Sequence, residues 1–97
     1  MVAGHYVYLL RCSDGTFYTG YATELERRVR EHNESPKGAK YTRGRRPVEL
    51  VYYLSFESRS EALKYEYVLR KKSRGEKEKL ILEFGEIALN ALMAEQF

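Results

Sequence analysis

Two tyrosine-bearing triplets stand on either side of a short turn near the start of the chain. Tyr6-Val7-Tyr8 precedes the turn Ser13-Asp14-Gly15, and Tyr18-Thr19-Gly20 follows it. An arginine-rich segment comes next, in which Arg28 and His32 are four residues apart and share one side of a predicted helix. Strand propensity alone could explain the tyrosines. Their meaning therefore depends on which other polar groups point at them.

A carboxylate further along the chain, Glu66, occupies an unusual position in a second predicted helix. Its neighbours Ala62, Leu63 and Leu69 lie three or four residues away, on the same face. A charge so close to a buried stripe needs a partner, which can be a cation, a metal or a hydrogen-bond donor. An ion pair with one of the many arginines would satisfy it without any functional site.

The turn between the first two strands decides whether Tyr8 and Tyr18 can act together. A two-residue Asp14-Gly15 loop places the two tyrosines on opposite faces of the hairpin. A three-residue Ser13-Asp14-Gly15 loop, with Gly15 left-handed, pairs Tyr8 with Gly20 and puts both tyrosines on one face, within roughly 5–8 Å. The sequence permits both loops, and a shared tyrosine site requires the second.

The order of predicted elements is strand, strand, helix, strand, helix, helix. It predicts an α/β (α+β) domain with a three-stranded, mainly antiparallel sheet and helices packed on it. Thr23 is the expected cap of the first helix, and Ser58 or Ser60 that of the second. The predicted strands are 5–12, 16–21 and 48–56, the helices are 23–33, 58–72 and 76–84, and 85–97 is an extra helix or a frayed tail.

Positive charge is concentrated in two blocks of the sequence. Residues 27–46 hold eight Lys or Arg against two Glu, and residues 59–79 hold eight against four, whereas 80–97 hold three Glu and no base. Much of the first block, residues 34–47, is expected to be a mobile basic loop because it is rich in Gly and Pro. The blocks suggest a polyanionic partner, and a solvated lysine-rich surface is the alternative.

Length and composition exclude several classes of protein. Ninety-seven residues suit a single domain, residues 1–97, with one modest core. The single cysteine, Cys12, cannot form an internal disulfide. The apolar run at 6–10 is too short for a signal peptide, and no run approaches the roughly 18–20 apolar residues of a membrane span. We therefore expect a cytoplasmic protein with no membrane association.

Taken together, these residues resemble the GIY-YIG nuclease domain over about residues 5–82. The match is to its small stand-alone bacterial branch, which is related to the nuclease module of the UvrC repair protein. The two tyrosine triplets, "YTGYATELERRVREH" and "EALKYEYVLRK" occur in the family's order and spacing. The chain departs from the pattern at Tyr6, where the family has glycine, and at Tyr21, where it often has lysine or a small polar residue.

The resemblance implies a metal-dependent endonuclease that hydrolyses DNA phosphodiester bonds. In that scheme Tyr8 is the general base and Arg28 contacts the scissile phosphate. Tyr18 and His32 hydrogen-bond the water or the phosphate, and Gly20 leaves room for the substrate backbone. Glu66 holds one Mg²⁺ or Mn²⁺, because a lone carboxylate suits a metal that keeps several of its waters.

Basic residues outside this set are the expected contacts to the phosphates of DNA, or of RNA. The predicted nucleic-acid-binding residues are Lys37, Lys40, Tyr41, Arg43, Arg45, Arg46, Arg70, Lys71, Lys72 and Arg74, with Tyr41 a candidate for stacking on a base. We expect a monomer with weak sequence preference, acting on single-stranded, branched or damaged DNA, in DNA repair or in the processing of foreign DNA. Two alternatives remain: a binding or damage-sensing module that has lost turnover, and an interaction domain using 87–97.

Overall fold

The fold is a small sheet with helices on both faces. The computed structural model describes the backbone of residues 4–95 and the side chains of residues 4–87. Along the chain the elements are β1 (His5–Arg11), β2 (Phe17–Ala22), α1 (Leu25–Glu34), α2 (Lys40–Arg43), β3 (Glu49–Phe56), α3 (Arg59–Lys71) and α4 (Arg74–Glu95). The strands pair antiparallel in the order β2-β1-β3. The predicted α+β class and three-stranded sheet are confirmed.

The β1–β2 turn takes the three-residue form. Cys12 N–H donates to the Thr16 carbonyl at 2.8 Å, and Gly15 has φ +83°, in the left-handed region that glycine adopts without strain. Tyr8 lies opposite Gly20, and Leu10 lies opposite Tyr18. The two tyrosines therefore share a face of the sheet, as the shared site requires.

Two apolar cores lie on opposite faces of β1, because successive side chains of a strand alternate between faces. On one face Tyr8 and Leu10 pack with Val48, and α1 covers them with Leu25 and Val29. On the other face a second set packs beneath α3 and α4: Val7, Leu9, Tyr52, Ala62 and Leu69. Residues 7–10 are all buried, since β1 is the central strand.

The helix starts differ from the prediction at α1 and α4, whereas at α3 the cap is one of the two residues that the prediction allowed. α1 begins at Leu25 with Glu24 as its N-cap, so Thr23 is not the cap, and no side chain caps this helix. Ser58 rather than Ser60 caps α3, by accepting from the Glu61 N–H. α4 begins at Arg74, two residues earlier than predicted, because Ser73 and Glu76 form a reciprocal capping box.

The last segment of the chain is helical as far as it is described. α4 extends beyond the predicted 76–84 to Glu95. Of the two alternatives for the last segment, the helix is therefore the one found up to that residue. Residues 96 and 97 of the predicted tail lie outside the described residues. No helix among residues 4–95 is both long enough and apolar enough to cross a membrane.

Residues 34–47 are not a continuous loop, because they contain α2. The Arg46 guanidinium holds this segment against the end of α1 by donating to the carbonyl oxygens of Glu31, His32 and Ser35. These are carbonyls that a helix C-terminus leaves without internal partners. The sequence prediction missed α2 because four residues are too few for an apolar period.

Candidate active site

Three rings form the centre of the candidate site. The Tyr8 hydroxyl lies 2.7 Å from His32 Nε2. The ring centroid of Tyr18 is 6.4 Å from that of Tyr8 and 5.1 Å from that of His32. Antiparallel pairing positions the tyrosines, and one turn of α1 between Arg28 and His32 brings the imidazole over the sheet. The structure thus brings together three of the residues that the sequence predicted.

Gly20 accommodates the Tyr8 ring itself. A Cβ at Gly20 would lie only 2.4 Å from both Cζ and the hydroxyl oxygen of Tyr8. The expectation that Gly20 leaves space for the substrate backbone is therefore wrong, because the tyrosine fills that space. The Tyr8 hydroxyl therefore lies over Gly20 of β2, the edge strand.

Arg28 is held in place beside these rings. Its Nη1 donates to Glu31 Oε1 and to the Lys37 carbonyl oxygen, each at 2.9 Å. Burial opposes its charge, but hydrogen bonding to Glu31 and the proximity of Tyr8 raise the pKa of Arg28 on balance. Its side chain remains 30% exposed. Arg28 is therefore a charged, oriented group that a ligand can still reach.

Tyr8 and His32 are both neutral in this environment. Burial, followed by the charge interaction with Tyr18, raises the pKa of Tyr8, while Arg28 acts to lower it. Burial and the nearby Arg28 lower the pKa of His32 to about 4. His32 is fully buried behind Tyr8. It therefore contacts Tyr8 directly and has no open path to a ligand.

Glu66 approaches from the other side of the sheet. Its helix, α3, packs on the face of β1 opposite to Tyr8 and α1. The carboxylate is nevertheless close enough to Tyr8 to add to the rise in the Tyr8 pKa. Because β2 is an edge strand, the candidate site wraps around this edge, with Tyr8 and Arg28 on one side and Glu66 on the other.

The carboxylate of Glu66, the expected metal ligand, is paired with an arginine. The side chain is 17% exposed and pairs with Arg70 at 2.8 Å, so a cation is already its partner. Within the described residues, no group of three or more His, Cys, Asp and Glu could hold a metal. A single carboxylate suits Mg²⁺ or Mn²⁺, which keep several waters, and does not suit a cage built entirely of protein ligands.

The two basic blocks of the sequence meet at the β1–β2 turn. Arg45 Nε donates to Asp14 Oδ2 at 3.0 Å, and Arg74 Nη1 donates to the Gly15 carbonyl oxygen at 2.7 Å. The predicted nucleic-acid-binding residues fall into two groups. Lys37, Lys40, Tyr41, Arg43, Arg70, Lys71 and Arg74 are exposed, whereas Arg45, Arg46 and Lys72 are half-buried. Arg46 uses its guanidinium to cap α1, which leaves little of it for a ligand.

A shallow groove of about 210 Å³ lies between the two blocks, next to Tyr18. Its walls are Phe17, Tyr18, Thr19, Tyr41, Arg70 and Lys77. Lys77 is not among the predicted nucleic-acid-binding residues, because its spacing of seven residues from Arg70 carries no signal across a helix break. Thr42 is not among the predicted site residues either, although it is fully buried beside His32. Only the position of α2 shows that this threonine is a partner of His32.

Comparison with known proteins agrees with this arrangement. The model of the GIY-YIG catalytic domain matches residues 4–79. A UPF0213 protein of Natronomonas pharaonis is 53% identical over 83 residues, which are 86% of this chain and 96% of that protein. A UPF0213 protein of Staphylococcus saprophyticus is 53% identical over 79 residues, covering 81% and 95% of the two chains.

Two solved structures resemble the fold as well. The solution NMR structure of a UPF0213 protein of Bacillus halodurans has TM-score 0.54 and 51% identity, covering 84% of this chain and 86% of that one. The solution NMR structure of an E. faecalis protein has TM-score 0.59 and 48% identity, covering 88% and 92%. These matches show that the chain belongs to the GIY-YIG catalytic domain family, among its UPF0213 relatives.

Proposed function

We propose that the protein is a metal-dependent endonuclease that hydrolyses DNA phosphodiester bonds with weak sequence preference. One observation carries the proposal. Tyr8, Tyr18 and His32 pack together beside a charged, reachable Arg28, and Glu66 approaches the same edge of the sheet from the other face. A phosphodiesterase needs a base, a cation for the phosphate and help for the leaving oxygen. Each need has a residue here.

The division of labour follows from the chemistry of each group. Arg28 binds oxygens of the scissile phosphate, which its planar fork can contact in pairs. Ionised Tyr8 takes a proton from the attacking water, whose oxygen bonds to phosphorus as the bond to the leaving oxygen breaks. Tyr18, on the exposed side of the ring cluster, orients the water or the phosphate. Mg²⁺ or Mn²⁺ held by Glu66 would stabilise the charge on the leaving oxygen.

The ionisation of Tyr8 is the demanding step. Burial raises its pKa above the ordinary value near 10, so the free protein holds it as a phenol. Arg28 favours the phenolate, and a cation held by Glu66 would act in the same direction. We therefore expect cleavage to rise with pH over the neutral to alkaline range, reflecting the fraction of ionised Tyr8.

The site favours a nucleic acid that can bend around a narrow edge. The catalytic groups surround one edge strand, and the groove beside Tyr18 is shallow. Single-stranded, branched or damaged DNA presents an accessible phosphate at such an edge more readily than an intact duplex does. The exposed basic side chains near the turn contact phosphates without reading sequence, and RNA offers them the same charge.

A cleavage assay on end-labelled single-stranded, duplex and branched DNA tests the proposal. The protein is incubated with Mg²⁺ or Mn²⁺, and EDTA is the metal-free control. Glu66→Gln removes the carboxylate without changing its size, and Glu86→Gln, on the exposed side of α4, is the matched control. We expect cleavage by the wild type and the control, and none by Glu66→Gln. Equal rates for all three proteins would contradict the proposal.

A second candidate function is a nucleic-acid-binding module without turnover. The observation that favours it is the ion pair between Glu66 and Arg70, which places a guanidinium where a catalytic metal would bind. Salt-sensitive binding of the same DNAs, with no cleavage in either metal, would select this alternative. Cleavage that disappears on addition of EDTA would exclude it.

A further inference from the structure

His32 has polar partners at both ring nitrogens, although its side chain is fully buried. Nε2 lies 2.7 Å from the Tyr8 hydroxyl. Nδ1 faces α2, where it lies 3.2 Å from both the Ala39 backbone nitrogen and Thr42 Oγ1. A neutral imidazole carries a proton on one nitrogen only, so these contacts decide which nitrogen donates.

The Ala39 contact is the one with a fixed direction. A backbone N–H can only donate, and the Ala39 N–H points at Nδ1. A proton on Nδ1 would therefore face another proton. The Thr42 hydroxyl can rotate, and it donates either to Nδ1 or to the Ala39 carbonyl oxygen, 2.8 Å away. Both neighbours are compatible with an unprotonated Nδ1.

The proton of neutral His32 then sits on Nε2 and points at the Tyr8 oxygen. A doubly protonated ring is disfavoured because its Nδ1 proton would face the Ala39 N–H. In addition, burial and Arg28 lower the pKa of His32 to about 4. Tyr8 accepts this hydrogen bond, so its own hydroxyl hydrogen must point elsewhere. When Tyr8 ionises, the bond from Nε2 becomes charge-assisted and stronger.

We propose that Ala39 and Thr42, at the start of α2, hold His32 as the Nε2–H tautomer, so that His32 is a positioning residue that donates to Tyr8 and stabilises its ionised form. The catalytic meaning of this device rests on the proposed nuclease function. The opposite tautomer would accept the Tyr8 hydrogen and hold Tyr8 as a neutral donor. Because Tyr8 is only 1% exposed in the free protein, its proton passes in the proposed arrangement to a water molecule admitted with the substrate, and His32 never receives it.

Nitrogen NMR of the ¹⁵N-labelled, metal-free wild-type protein tests the tautomer directly. Long-range correlations from the ring carbon-bound protons separate protonated from unprotonated ring nitrogens, and His5 is the only other histidine. At neutral pH we expect Nε2 of His32 to be of the protonated type and Nδ1 of the unprotonated type. The reverse pattern, or an average of the two, would overturn the proposal, whether or not the protein cleaves DNA.

Substitution of His32 tests its role towards Tyr8. His32→Gln keeps an N–H donor in reach of Tyr8 but cannot accept a proton at neutral pH, and His32→Leu offers neither function. We expect His32→Gln to cleave at least about tenfold faster than His32→Leu, and His5→Gln to cleave like the wild type. Equal rates for the two His32 variants would contradict the positioning role.

The two measurements separate the inference from the proposed function. A wild-type protein that shows the Nε2–H form but cleaves no DNA supports the tautomer and refutes the nuclease. A wild-type protein that cleaves DNA but carries the His32 proton on Nδ1 supports the nuclease and refutes the tautomer. If His32→Leu fails to fold, the NMR measurement on the wild type still decides the tautomer.

Discussion

At the scale of single residues, Tyr8 connects the parts of the site. It packs on Gly20 of the edge strand, accepts from a buried imidazole and lies within the electrostatic reach of both Arg28 and Glu66. Its position depends on the absence of a side chain at Gly20 and on the burial of His32. A change at any of these residues therefore alters the chemistry through Tyr8.

Removing the Tyr8 hydroxyl should abolish the proposed activity without unfolding the protein. We expect Tyr8→Phe to slow cleavage by about 10²–10⁴-fold, the usual contribution of a general base. The buried Nε2–H of His32 loses its acceptor, which costs about 1–3 kcal/mol of stability. Tyr53→Phe, on the neighbouring strand, is the control. Cleavage by Tyr8→Phe within twofold of the wild type would refute the base assignment.

His32 should make stability depend on pH in acid. Its pKa is about 4 in the folded protein and 6.5 as the ordinary value, so the unfolded chain binds the proton more readily. Neutral His32 contributes fully to the free energy of unfolding above pH 6.5. This contribution is lost as the pH falls towards 4, and the loss amounts to up to about 3 kcal/mol. Urea unfolding between pH 7 and 4 measures it.

The matched protein for that titration is His32→Gln, which has no ionisable group at the position. Its free energy of unfolding should fall less between pH 6.5 and 4 than that of the wild type. The carboxylates titrate in both proteins, so the difference between the two curves isolates His32. Parallel curves would show that His32 is not held neutral in the folded state.

At the scale of elements, the end of α1 and the segment around α2 form one unit. Arg46 donates to carbonyls in the last turn of α1, and Gly38 lies so close to that turn that a Cβ would approach the Glu31 carbonyl oxygen to 2.6 Å. The same packing brings Ala39 and Thr42 to His32. Some basic residues of the first block therefore stabilise the fold, as Arg46 does, whereas others, such as Lys40 and Arg43, are exposed.

Two arginines of this segment should therefore behave differently. Arg46→Met removes the donors to the α1 carbonyls, and we expect stability to fall by about 2–3 kcal/mol, since the bonds involve a charged donor. Arg43→Met removes an exposed side chain that donates to the Pro36 carbonyl oxygen, and should cost less than about 1 kcal/mol. Denaturant unfolding of the two variants compares them. Equal destabilisation would contradict the capping role of Arg46.

At the scale of the whole molecule, two distant segments of the chain form one basic surface. Arg45, just after α2, and Arg74, the first residue of α4, both contact the Asp14–Gly15 turn, and Tyr18 lies beside the groove between the two blocks. A net charge of only +3 conceals this asymmetry, because eight of the fourteen acidic residues lie outside the two basic blocks. A polyanion would therefore meet the molecule at the end that holds the site.

Salt dependence of DNA binding tests this surface. We expect Lys40→Ala and Arg70→Ala each to weaken binding, Arg70 being a wall of the groove beside Tyr18. Each should make the slope of log affinity against log salt shallower by about 0.7–0.9 for each phosphate that is no longer neutralised. Lys64→Ala, on the outer side of α3, removes the same charge away from the surface and should leave the slope unchanged. Equal slopes for the three variants would contradict the proposed path of the nucleic acid.

The sequence by itself determined the family, the three strands and the types of residue at the site. These features are the tyrosine triplets, an arginine at a set distance from them and a carboxylate near an apolar stripe. Each is a local pattern, so it can be recognised from residue types and spacing alone. It also limited the turn to two forms. It could not choose between them, because both are sterically permitted and the choice depends on which face of the hairpin α1 covers.

Only the tertiary structure decided how the groups meet. Glu66 and Tyr8 lie on opposite faces of the sheet, and in the proposed site they meet around β2, its edge strand. The proton position on His32 depends on the N–H of Ala39, seven residues along the chain and beyond the end of α1. Directions of donors and the order of strands are properties of three-dimensional packing, and no residue spacing encodes them.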